Sequence, residues 1–191
     1  MSGLRVISGV ARGRKLRSVP GSATRPITDR AKESLFNILG SDIVGSSFLD
    51  LFAGTGSVGI EALSRGAAFV RFIDTQRQAI ETVRANLSLT GLQQSAEVLR
   101  QDAFSMLGRP VDRAFDYVFI APPQYKELWQ KALLALDAQP AWLTPDAWVI
   151  AQIHPVEYRP KTASAEPVLK NLSEFDQRRY GSVLFVFYER C

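Results

Sequence analysis

The chain is predicted to fold as a doubly wound α/β domain, and three observations carry that prediction. From Phe48 onward, short apolar runs alternate with segments of helical period, the order expected of a mostly parallel sheet with crossover helices. The run from Tyr117 to Ile120 is wholly apolar, as suits a central strand covered on both faces. Aspartates close or follow successive runs at Asp50, Asp74 and Asp102, so acids collect at the carboxyl ends of strands. At 191 residues with 46% hydrophobic content, the chain can bury one sizeable core but is too short for two large domains.

The elements follow in order. Leu4 and Val6, then Leu16 and Val19, are separated by Gly9 and Gly13, which reads as a two-stranded ribbon turning near Ala11 to Gly13. Pro20, Gly21 and Pro26 mark a loop. Thr28 or Asp29 then caps a helix carrying Ala31, Leu35, Ile38 and Leu39 and stopped by Gly40. Residues 1–27 are therefore expected as an extension and residues 28–191 as the main domain. A strand from Phe48 to Phe52 leads into a helix from about Ser57 to Arg65, stopped by Gly66, and a strand from Phe69 to Ile73 closed by Asp74. The helix from Arg77 to Thr90 presents Ile80, Val83 and Leu87 on one side and stops at Gly91, before a strand near Ala96 to Leu99. The strand from Tyr117 to Ile120 runs into Ala121-Pro122-Pro123, followed by a helix from Lys126 to Ala135 and a buried strand from Trp148 to Ile153. Val183 to Tyr188, β-branched and aromatic, pairs antiparallel with Pro167 to Leu172 to close the sheet.

Composition removes several function classes. A single Cys191 leaves no internal disulfide, and with only His154 beside it no zinc or cysteine-rich metal site can be assembled. No apolar run approaches the roughly 20 residues that span a bilayer, and the start has no signal-peptide core, so a soluble cytoplasmic protein is expected. Charge is concentrated at one end. Residues 1–32 hold eight cations against Asp29, a net +7 within a total of +4, which leaves −3 for the remainder. A basic extension on a near-neutral body is the electrostatic footprint of a nucleic-acid binder, because cations at phosphates release counterions.

The segment Phe48 to Gly59, FLDLFAGTGSVG, carries the densest chemical information. Gly54, Gly56 and Gly59 satisfy the spacing of a dinucleotide fingerprint, with Asp74 at about the distance of a ribose contact. Asp50, however, stands just before the turn, where it repels a pyrophosphate. S-adenosylmethionine (SAM) has no phosphate, and its methionine end carries an ammonium and a sulfonium, so an acid beside the glycine turn suits SAM and opposes NAD. In an open parallel sheet ligands lie outside the carboxyl ends of the strands, so Asp50, Asp74, Asp102 and the Ala121-Pro122-Pro123 turn are expected to line one crevice. Asp50 would face the methionine end, Asp74 the ribose hydroxyls, and Asp102 with Ala103 and Phe104 the adenine; Ala53, Thr55 and Thr75 complete the candidate cofactor set. Each of these aspartates also suits a helix N-cap.

On the stretches RVISGVARGRKL, TRPITDRAKESLFNIL (Thr24 to Leu39), LDLFAGTGSVGIEALSRGA (Leu49 to Ala67) and RRYGSVLFVFY (Arg178 to Tyr188), the chain resembles the bacterial RsmD-type methyltransferases over nearly its whole length. The resemblance implies a Rossmann-like class I SAM-dependent methyltransferase fold: a mostly parallel seven-stranded sheet with a C-terminal antiparallel pair, plus the N-terminal ribbon. It implies methyl transfer from SAM to the exocyclic N2 of a guanine in small-subunit (16S) ribosomal RNA; a partly assembled subunit is the expected substrate and a monomer the expected state. It makes Asp50, Gly54, Gly56, Asp74 and Asp102 cofactor contacts and assigns RNA to the basic extension, whose candidates are Arg5, Arg12, Arg14, Lys15, Arg17, Arg25 and Arg30.

The chain departs from the family at the motif expected to perform the chemistry. The family has an acidic or amide residue, two prolines and an aromatic, where this chain has Ala121, Pro122, Pro123, Gln124 and Tyr125. Ala121 has no side-chain acceptor for the guanine amino group. The carbonyls of Ala121 and Pro122, Gln124 as a replacement acceptor and Tyr125 as a stacking ring are the candidates that remain. The alternatives are a non-catalytic or retargeted SAM-fold RNA-binding protein, and a SAM enzyme acting on DNA or a protein amide.

Overall fold

The computed structural model describes residues 4–21, 27–124, 127–158 and 168–191. Contacts divide the chain into two compact units, Met1–Ala103 and Phe104–Cys191. Seven strands form one mixed sheet in the order β3 (Ala96–Arg100), β2 (Phe69–Asp74), β1 (Ser47–Asp50), β4 (Phe115–Ile120), β5 (Leu143–Ile153), β7 (Val183–Arg190) and β6 (Leu172–Tyr180), mostly parallel with a C-terminal antiparallel pair, the architecture expected from the sequence. Among the described residues no helix is long and apolar enough to cross a membrane.

In the first unit, helix α1 (Asp29–Leu39) is capped by the Thr28 hydroxyl, which accepts from the Ala31 amide at 3.2 Å. It buries Ala31, Leu35, Phe36 and Leu39, while Ile38 is only half-buried. Strand β1 (Ser47–Asp50), helix α2 (Ser57–Ser64), strand β2 (Phe69–Asp74), helix α3 (Arg77–Thr90) and strand β3 (Ala96–Arg100) then make two consecutive parallel crossovers. Phe48, Val70, Phe72, Ile60, Val83 and Leu87 fill the space between these strands and helices. Gly59 owes its place to packing, because a Cβ there would lie 2.4 Å from the Phe72 ring; a larger residue would lever α2 off β2.

The expected ribbon is present as a short antiparallel pair: Arg5 bridges Lys15, the Val6 amide donates to the Arg14 carbonyl and the Leu16 amide to the Leu4 carbonyl. Residues 4–21 hold to the unit through polar anchors that the sequence reading did not include. Amides of Ile7 and Ser8 donate to the Glu61 carboxylate at 2.8 and 2.9 Å. The Ser64 carbonyl accepts from the Val10 amide at 2.8 Å. The Ser64 hydroxyl accepts from the Ala11 amide and donates to the Ser8 carbonyl. Asn86, fully buried in α3, accepts from the Arg17 amide at 2.7 Å and donates to its carbonyl at 3.0 Å.

The second unit contains α4 (Ala103–Leu107, its first residue in the first unit), β4 (Phe115–Ile120), α5 (Leu128–Ala138), β5 (Leu143–Ile153), β6 (Leu172–Tyr180) and β7 (Val183–Arg190). Helix α4 lies where no helix was expected, β4 begins two residues before Tyr117, and three further elements differ from expectation. Helix α5 begins after Glu127, whose φ of 52° breaks the helical path, and continues to Ala138 because Leu136 and Asp137 are buried. Strand β5 begins five residues before Trp148; its register with β4 shifts between Phe115 and Tyr117, and the exposed Pro145 and Asp146 hide its first part from a periodicity reading. The partner of β7 is Leu172–Tyr180 rather than Pro167 to Leu172; Pro167 lies outside the described residues. This edge strand faces solvent along much of its length, so its polar sequence SEFDQRRY lacks the apolar signature of a covered strand.

Candidate active site

The loop after β1 is built around an aspartate pair. Asp50, at the end of β1, is only 2% exposed, and its Oδ1 has no hydrogen-bond partner among the described residues. Burial, followed by the charge of Asp74, raises its carboxyl to about 7, although the Gly59 and Phe52 amides favour the charged form. Asp74, at the end of β2, uses one oxygen to accept from the Gly54 amide and the other to accept from the Gln76 amide, both at 2.9 Å. The Ala53 amide donates to the Ile73 carbonyl and the Gly56 amide to the Ala53 carbonyl, so the turn is fixed to two strands. Gly54 and Gly56 have φ of 54° and 75°, left-handed values that explain glycine at both. A Cβ on Gly54 would meet open space.

The Thr55 carbonyl accepts from Asn86 Nδ2 at 2.9 Å, so the side chain that grips Arg17 also steadies the glycine turn. Thr75 is exposed, with its carbonyl bonded to Arg100 Nε, and the Gln101 amide donates to the Asp74 carbonyl at the start of the segment reaching Asp102. Asp102 is exposed and Ala103 buried. Asp50, Ala53, Gly54, Thr55, Gly56 and Asp74 thus share one continuous hydrogen-bonded or electrostatic neighbourhood, with Thr75 next to it in sequence.

In the second unit, Phe104 is half-buried in α4. Ala121 is half-buried at the end of β4, Pro122 is buried, and Pro123 and Gln124 are exposed. Tyr125 lies outside the described residues, as does Arg25. His154 closes β5 as the cap of a short 3-10 turn: its Nδ1 accepts from the Val156 amide and Glu157 returns a bond to its own amide.

Among the basic candidates, Arg12, Arg14, Lys15, Arg17 and Arg30 are exposed. Arg5 is paired with Asp29 at 2.9 Å. Lys32, also counted in the basic segment, is fully buried, 3.4 Å from Glu61 and donating to the Arg5 carbonyl. The sequence reading missed Glu61, Ser64, Asn86 and Lys32 as organising residues. A signal was available, since each is a polar residue on the buried face of a helix.

Two parallel crossovers with acids at the strand ends, a glycine turn between them and a closing antiparallel pair are the class I SAM-dependent methyltransferase fold. Residues 4–189 match the family described as conserved hypothetical protein 95. The ribosomal RNA small subunit methyltransferase D of Escherichia coli is 34% identical over 187 residues, covering 98% of this chain and 90% of its own. The YlbH protein of Bacillus subtilis is 45% identical over 151 residues, 78% of this chain and 82% of that one. A solved Escherichia coli structure, yhhF, superposes with a TM-score of 0.83 at 33% identity, covering 99% of this chain and 98% of the other. The chain belongs to this family, the RsmD family.

Proposed function

We propose that the protein transfers a methyl group from SAM to the exocyclic N2 of a guanine in small-subunit ribosomal RNA, acting as a monomer on a partly assembled subunit. The observation that carries the cofactor assignment is the buried, unpartnered Oδ1 of Asp50 beside a glycine turn with an open side. A lone acceptor in that setting suits a cationic ligand, and the raised carboxyl ionises fully once a cation arrives. The residues therefore fit SAM. Asp50 holds its ammonium directly or through water, and Asp74 accepts from the ribose hydroxyls with the lone pairs its two amide bonds leave. Asp102, Ala103 and Phe104 flank the adenine. Bound SAM supplies an electrophilic methyl on sulfur.

The RNA assignment is supported by the name of the Escherichia coli relative and by the exposed cations Arg12, Arg14, Lys15, Arg17 and Arg30. Arg5 and Arg25 extend the same basic segment. The carbonyls of Ala121 and Pro122 receive the amino group, and Pro123, Gln124 and Tyr125 border the base, which must leave its stack to react. A cytoplasmic location follows from the substrate. Ala121, which has no acceptor of its own, favours a second reading: a non-catalytic or retargeted RNA-binding member of the family.

Incubation with labelled SAM and small subunits lacking the modification should give N2-methylguanosine on nucleoside analysis. SAM binding without any methylated guanosine would rule out the catalytic reading in favour of the second.

A further inference from the structure

We infer that Gln152, on the fifth strand, supplies the hydrogen-bond acceptor for the target amino group that position 121 lacks. This rests on the guanine-N2 reading above. The Oε1 of Gln152 is buried with no hydrogen-bond partner among the described residues; it and Asp50 Oδ1 are the two such side-chain atoms found there. Buried amides are almost always satisfied, so an exception calls for a cause. The first exception stands at the proposed cofactor turn. The second has no structural partner to explain it.

Register gives its position. Strands β4 and β5 run parallel, with Tyr117 beside Trp148 and Ile120 beside Ala151; continued one residue past the paired stretch, the same register brings Ala121 level with Gln152. Side chains alternate across a strand, so Ala121 lies on the same face as Tyr117, and Gln152 on the same face as Trp148. Tyr117 and Trp148 touch edge to face at 6.2 Å, which shows that the two rows share a face. Position 121 therefore neighbours Gln152 on this face, and its alanine side chain offers the amide no hydrogen-bond partner. On its other side Gln152 is paired with Phe185, which is fully buried and offers no donor side chain.

The chemistry asks for an acceptor of this kind. The guanine amino lone pair is delocalised into the ring, and accepting one of its hydrogens holds the nitrogen in the geometry that localises the pair. The pair then forms the N–C bond as the S–C bond breaks with its electrons onto sulfur. The extra proton on nitrogen, strongly acidic in that species, leaves to water. Gln152 takes no proton; it orients the amino group, and a desolvated acceptor does so more strongly than the exposed Gln124.

The test compares wild type with Gln152→Met, which is nearly isosteric and apolar, in methyl transfer to unmodified small subunits. The expected result is a kcat lower by about thirtyfold or more, with KM for the subunit raised by no more than about fivefold and the SAM dissociation constant within about twofold. Adding Ala121→Asn to Gln152→Met should restore most of the lost kcat. A second readout does not depend on turnover: replacing the methylated guanine by inosine, which lacks the amino group, should weaken wild-type binding about fivefold and leave Gln152→Met unaffected. An active wild type with Gln152→Met within twofold of it would overturn this inference alone. A marked loss of thermal stability in Gln152→Met would also overturn it, since it would make the amide a structural group. Absence of methylated guanosine from the wild type would overturn the functional reading itself, and this assignment with it.

Discussion

At the scale of single residues, Asp50 sets a measurable pH dependence. Its carboxyl rises from 3.8 to about 7 in the folded protein, so folding favours the protonated form. Below the unfolded value both states are protonated and nothing is lost. Between that value and about 7 the penalty grows, and above 7 it is complete, up to about 4 kcal/mol. Asp50→Asn should therefore stabilise the ligand-free protein at pH 8 relative to wild type, with the difference vanishing near pH 4 in urea titrations. SAM affinity of the wild type should rise with pH through 7, whereas Asp50→Asn should bind weakly with a flat profile by calorimetry. Asp50 was legible in the sequence because an acid before a glycine turn opposes the phosphate ligand that the turn would otherwise suit. Gln152 was not, because its significance lies in register: only the pairing of β4 with β5 sets it beside Ala121, 31 positions away in the chain.

At the scale of elements, the N-terminal segment is anchored by a buried charge cluster. Glu61 is fully buried, accepts from two backbone amides of the segment, and faces Lys32 and Arg65. Burial lowers the Lys32 amine, and the Glu61 charge is what chiefly opposes that shift. Glu61→Gln should leave an uncompensated buried ammonium and cost about 3 kcal/mol in urea unfolding. The amides of Ile7 and Ser8 should then lose hydrogen-exchange protection before those of β1 and β2. The same comparison shows which elements were readable. Helices α1 and α3 combine clean apolar periodicity with glycine stops, and α3 begins and ends where the periodicity indicates. Strand β6 was not readable in this way because it faces solvent, and the docking of residues 4–21 because it joins that segment's backbone groups to the buried side chains of Glu61, Ser64 and Asn86 far along the chain. Asp137 is a comparable case: its carboxylate accepts from the amides of Lys170, Asn171 and Leu172, pinning the start of β6 by a contact that periodicity does not encode.

At the scale of the whole molecule, the uneven charge governs association with nucleic acid. Arg5 and Lys32 are engaged internally, so the field of the basic segment comes chiefly from Arg12, Arg14, Lys15, Arg17 and Arg30 among the described residues. Changing Arg12, Arg14 and Lys15 to Gln should reduce the slope of log affinity for ribosomal RNA against log salt by about 2. An unchanged slope would remove this segment from the RNA-binding surface. The class of fold was legible at this scale because alternating strands and helices constrain topology strongly. Total net charge alone conveyed little, since a fold decides which cations are spent on internal partners.

The anchors of the N-terminal segment also have a consequence for biosynthesis. Its hydrogen-bond partners Glu61, Ser64 and Asn86 lie 53 to 69 positions further along the chain. During translation, residues 4–21 therefore emerge well before anything exists for them to dock on. For the time it takes to add those residues, a few seconds at roughly 5–20 residues per second, a flexible cationic leader precedes the folding unit. Ribosome-bound chains arrested before Asn86 emerges should show this leader open to protease, and chains arrested some 40 residues later should show it protected.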